Sequence, residues 1–131
     1  MGCNMHKRRG WTLVALSGLV VVMAGAFGAH ALGDMLSPAR LDAFTTGVRY
    51  QAWHTLAAMA VLLWHAQHPL RGQTTVLWLW GLGMAAFSGS LYLLALTGAH
   101  WLGPITPFGG LLLMAGWLTL AICAWRQRPA H

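Results

Sequence analysis

GAFGAHALGDMLSPARLDAFTTGVRYQAWH, residues 25–54, joins two apolar runs and gathers most of the chain's polar chemistry. It holds both acids, Asp34 and Asp42, two of the seven histidines, His30 and His54, and two arginines, Arg40 and Arg49. On either side, and twice more toward the C-terminus, lie runs without a carboxylate or an ammonium: 11–32, the stretch after Arg49 to 66, 76–96 and 108–125. The first is close to the roughly 20 residues that cross a ~30 Å hydrocarbon slab at 1.5 Å per residue. It is also longer than the apolar part of a signal peptide, so it reads as a membrane helix and not a cleaved leader.

Composition agrees with that reading. The chain has 131 residues, 57% hydrophobic and 8% charged, against about 25% charged in soluble domains. This predicts a single membrane domain. The net charge of +6 belongs to basic residues flanking the runs, where they orient helices and meet anionic headgroups, so no nucleic-acid partner is expected. Cys3 and Cys123 form no CxxC and no metal-like spacing, which excludes thiol oxidoreductase chemistry. Met1-Gly2-Cys3 has the look of an acylation start, but His6 stands where the pattern needs Ser or Thr.

Working outward from the linker, Ser37 is an N-cap, Pro38 a first helical residue and Gly47 a stop, predicting a short interfacial helix over 37–46. Leu41, Phe44 and Val48 give it an apolar face, leaving Arg40 and Asp42 toward water. The spans are then 11–32, 49–66, 76–96 and 108–125, between a basic tail over 1–10 and a second tail over 126–131. The short polar turn after His65 and the connector with Pro104 and Pro107 make an up-down-up-down bundle the simplest fold. The expected class is thus an all-α integral membrane protein with four transmembrane helices. Placing Lys7, Arg8, Arg9, Arg71, Arg126 and Arg128 inside and Arg40 and Arg49 outside satisfies the positive-inside rule and puts both ends in the cytoplasm of a bacterial inner membrane.

Small residues mark the expected helix contacts: Gly18, Gly25, Gly28 and Ala29 on the first span, Gly81, Ala85 and Gly89 on the third, Gly109, Gly110 and Gly116 on the fourth. GAHALG at 28–33 and GAHWLG at 98–103 echo each other at the ends of odd-numbered spans. The second and fourth runs share little, and Gly, Ala and Leu are abundant, so the echo reads as chance more readily than as duplication.

Four segments then match a known pattern. GAFGAHAL (25–32), TGVRYQAWH (46–54), FSGSLYLLALTG (87–98) and ITPFGG (105–110) followed by Gly116 and Trp117 resemble the family called domain of unknown function 423, the YgdD-like small inner-membrane proteins. The resemblance implies a small integral membrane protein and brings no biochemical activity with it.

Candidate ligand-binding residues are His30, Asp34, Arg49, Tyr50, Gln51, His54, Ser88, Ser90 and Tyr92. With 49–66 as the second span, His30, His54 and Tyr92 fall at similar depth near the outer face. The pairs His30 with Asp34 and Tyr50 with His54 are spaced to share a helix face. Polar groups at membrane depth are costly and often line a site, yet the same groups serve equally as hydrogen bonds between helices. Paired histidines on a haem, or a metal on His30, His54 and Asp34, are formally available, but nothing fixes either geometry. Proton-coupled export needs an intramembrane carboxylate, and there is none. His65 and His68 bracket a turn read as solvated. No phosphate loop, catalytic triad or paired carboxylates occur, so no enzyme activity and no cofactor are expected. The sequence favours a structural or accessory protein contacting membrane lipids, a second copy or another membrane protein. The alternative is binding or transport of a small molecule, lipid or ion in a polar pocket near the outer face.

Overall fold

The structure, a computed structural model, describes residues 2–127, with side chains from residue 5 onward. Arg128 and the side chain of Cys3 lie outside the described residues. Four α-helices follow one another: α1 (Gly2–His30), α2 (Pro38–Gln67), α3 (Gln73–Thr97) and α4 (Ile105–Trp125). Short 3-10 turns, Leu32–Asp34 and His100–Leu102, sit in the two links at the same end of the bundle. Among the described residues there is no strand.

The helices pack in sequence order, α1 on α2, α2 on α3 and α3 on α4. Each contact comes from a stripe at three- and four-residue spacing, the signature of a helix with one inward face. Val14, Ser17, Val21, Ala24 and Gly28 of α1 are half-buried against α2. Phe44, Gly47, Gln51, His54, Thr55, Ala58 and Val61 are the buried residues of α2. On α3, Trp80, Gly83 and Ser90 turn to α4, while Ser88, Leu91 and Ala95 turn to α2 and its lead-in. Gly109, Leu113, Gly116 and Cys123 form the buried stripe of α4.

The outward faces are apolar. Leu13 and Val22 of α1, Leu56 of α2, Trp78 of α3 and Leu118 of α4 are all 65 to 69% exposed. The buried set meanwhile contains Gln51, His54, Thr55, Gln73, Ser88 and Ser90. Large apolar side chains outside and hydrogen-bonded polar groups inside suit a hydrocarbon surround. Three helical segments, Met5–His30, Gln73–Thr97 and His100–Trp125, are long and apolar enough to cross a membrane. α2 is as long but carries Gln51, His54 and Thr55 on its inward face.

One element differs from the sequence expectation. Ser37 does cap a helix, its Oγ accepting from Arg40 N at 3.3 Å, and Pro38 does open it. That helix, however, does not stop at Gly47 but runs unbroken to Gln67. No separate interfacial helix exists here. Gly47 is a packing position instead of a terminus: a Cβ there would stand 2.8 Å from the Tyr92 ring. The positive φ angles among the described residues flank α3, at its N-cap Gly72 (99°) and its C-cap Gly98 (70°).

Candidate functional site: a polar layer at mid-bundle

Because α2 begins at Pro38, His54 lies about 24 Å along it and not one turn inside its start. Gln51 and Thr55 both meet Ser17, close to the middle of α1. His30, at the far end of α1, is exposed and some 20 Å from that level. Ser17, Gln51, His54, Thr55, Met84 and Trp117 all fall within about three residues of the midpoints of their helices. The polar layer is thus central in the bundle and not near the outer face.

Most bonds in this layer join helices. Gln51 Nε2 donates to Ser17 Oγ at 3.0 Å and to the Ser17 carbonyl at 3.3 Å, while its Oε1 accepts from the Tyr92 hydroxyl at 2.6 Å. One amide therefore ties α1, α2 and α3. Ser17 and Thr55 share a hydroxyl contact of 2.7 Å, and Thr55 Oγ1 also reaches Met84 Sδ at 3.7 Å.

Around His54 the environment is aromatic. Trp80 and Trp117 meet its ring edge-on, both at 5.8 Å between centroids, and Tyr50 stacks at 6.2 Å. Trp117 Nε1 donates to His54 Nε2 at 2.9 Å, which makes Nε2 an acceptor. Nδ1 must then carry the proton, and it donates to the Tyr50 carbonyl at 2.7 Å. Both nitrogens are occupied, so neither faces a metal or a haem. Trp80 Nε1 makes the parallel link from α3 to α4, donating to the Leu113 carbonyl at 3.2 Å.

Ser88 and Ser90 of the predicted set close two further seams. Ser88 Oγ donates to the Gly47 carbonyl of α2 at 2.7 Å, and Ser90 Oγ meets Thr106 Oγ1 of α4 at 2.6 Å. Tyr50 is half-buried, its ring packed on Phe87 at 4.8 Å and Trp53 at 5.1 Å. Asp34 and Arg49 are exposed, as is His30. His30 and Asp34 do not share a helix face because α1 ends at His30 and Asp34 sits in the following 3-10 turn. Among the described residues no group of three His, Cys, Asp or Glu side chains is placed to hold a metal. Arg40 is not directed wholly to water: its guanidinium lies beside Gly98, the C-cap of α3, where a cation meets the negative end of the helix dipole. Its Nε is the buried side-chain polar atom left without a partner among the described residues.

The turn between α2 and α3 is also ordered by side chains. Gln73 Oε1 accepts from Leu70 N at 2.8 Å and lies 2.6 Å from His65 Nδ1, and Gln73 Nε2 donates to the His68 carbonyl at 3.2 Å. Cys123 Sγ donates to the Arg71 carbonyl at 3.1 Å, fastening this turn to α4.

Of the glycines expected at helix contacts, Gly25 and Gly28 face Val48 and Phe44 of α2, Gly109 and Gly110 face Phe87 of α3, and Gly116 faces Trp80. Gly18, Gly81 and Gly89 face open space, while Ala29 and Ala85 are exposed. Sequence reasoning passed over Ser17, Thr55, Gln73, Trp80 and Gly83, and read Gly47 as a helix stop. Their one legible signal is heptad-like spacing, which Gly47, Gln51, Ala58 and Val61 share.

The sequence profile of the family described as "Protein of unknown function (DUF423)" matches residues 24–110. A UPF0382 membrane protein of Haemophilus influenzae is 39% identical over 122 residues, covering 93% of this chain and 98% of its own. One from Staphylococcus haemolyticus is 41% identical, covering 87% and 93% respectively. The UPF0382 inner membrane protein YgdD of Escherichia coli is 35% identical, covering 87% of each chain. No solved structure matches. With the profile spanning most of the polar layer and the relatives nearly the whole chain, this protein belongs to the DUF423 family of membrane proteins.

Proposed function

We propose that the chain is a bacterial inner-membrane protein crossing the bilayer four times, both ends cytoplasmic, and that it works through contacts with lipid or other membrane proteins. In this reading the polar layer holds the helices together. The observation that carries it is that Gln51, His54, Ser88, Ser90 and Tyr92 each spend their hydrogen-bonding groups on another helix or on the adjoining turn of their own. A ligand arriving there would have to break bonds already made.

α2 crosses despite its polarity because Gln51, His54 and Thr55 face inward while Trp53, Leu56 and Leu63 face out. The orientation rests on the excess of Lys and Arg at one end.

The test is His54→Ala. Removing the ring orphans the Trp117 N–H and opens a cavity, so thermal stability in detergent falls by about 2–4 kcal/mol. Solute movement into proteoliposomes stays unchanged per folded molecule. A variant of normal stability that alters solute movement would replace this reading with a ligand or transport site.

A further inference from the structure

Toward the end of the bundle where α2 gives way to α3, α2 and α4 stand apart and leave an open apolar groove of about 460 Å³. Ala57, Ala60 and Trp64 form one wall, Leu120 and Ala124 the other, and Trp80 the floor. The Trp117 to His54 bond bridges the two helices at its deep end. Its size is that of a small-molecule site, and its openness is to the side, where hydrocarbon lies.

The end of the bundle toward which the groove runs is cationic. Arg126 is the C-cap of α4, two residues past Ala124, and Arg71 is in the turn fastened to Cys123 of the same helix. Lys7, Arg8 and Arg9 are at the same end, whereas both carboxylates, Asp34 and Asp42, are at the other. A second copy inserted in the same orientation would bring these like charges together. A phosphate on a lipid would neutralise them, and basic pockets between helices on the cytoplasmic side favour such headgroups.

We propose that this groove seats one acyl chain of an anionic phospholipid, with its phosphate at Arg71 and Arg126. The inference rests on the reading that the chain works through membrane contacts, and names the contact.

Native mass spectrometry tests it, with the protein released from nonionic detergent containing equal phosphatidylglycerol and phosphatidylcholine of matched acyl chains. One phosphatidylglycerol is retained per chain, about thirtyfold over phosphatidylcholine, the preference two interfacial arginines supply. Arg71→Gln with Arg126→Gln removes most of that preference. Ala60→Trp fills the groove from an exposed position and loses both lipids. Equal retention of the two lipids by the unaltered protein overturns the proposal. So does undiminished phosphatidylglycerol on folded Ala60→Trp, or a dimer that Ala60→Trp dissolves. Should Ala60→Trp fail to fold, the arginine pair decides, since it lies outside the apolar spans. A His54→Ala variant that altered solute movement would end the reading above and leave the groove's lipid preference standing.

Discussion

At Gln51 one amide serves three helices, and its two ends make different demands. Replacement by leucine keeps the volume roughly but leaves the Tyr92 hydroxyl and the Ser17 groups short of a partner. Orphaning buried groups costs about 1–3 kcal/mol, so Gln51→Leu lowers the thermal midpoint more than Ser17→Ala, which removes bonds worth about 0.6 kcal/mol each in a membrane. Melting both variants in the same detergent checks the order. Three candidates, Arg49, His30 and Asp34, lie exposed away from the layer, and the last two show what spacing alone leaves open. Their four-residue spacing was legible, but the end of α1 between them was not. Tyr50 and His54, with the same spacing inside one helix, do meet.

Between elements, the deciding feature is which small residues meet which large ones. α3 carries two glycine-bearing faces, and a list of glycines does not say which is inward. The buried one is marked by Trp80 and Phe87, whose rings lie on Gly116 and Gly110 of α4. A Cβ at Gly109 would run into the Phe87 backbone, which cannot yield, whereas one at Gly81 meets nothing within 4 Å. Gly109→Ala is therefore expected to cost 2 kcal/mol or more, about the scale of overpacking a filled core, while Gly81→Ala changes stability by no more than about 0.5 kcal/mol. Thermal unfolding of the pair separates them. The start of α2 was readable from Ser37 and Pro38 because caps are local chemistry, and Ser37→Ala should lose about 1 kcal/mol. Its continuation through Gly47 was not, because glycine is tolerated inside a helix when a neighbour such as Tyr92 needs the space.

Across the whole molecule, the outward faces of all four helices are apolar, including that of α2, whose average polarity conceals it. Hydropathy sums every residue of a segment, whereas lipid meets only the outer ones, so a helix with Gln51, His54 and Thr55 turned inward can still lie in hydrocarbon. If α2 crosses, an even number of crossings returns the chain to its starting side. Lys7, Arg8, Arg9, Arg71 and Arg126 then share one face, as the positive-inside rule requires. If α2 lay on the surface instead, the ends would be on opposite sides, and Arg71 and Arg126 would part from Lys7, Arg8 and Arg9. That would also draw Gln51 and Thr55 of α2 away from Ser17 of α1, to which both are bonded. Reporter fusions at the two ends distinguish the cases: both active only in the cytoplasm is the expected outcome, and one on each side would leave three crossings.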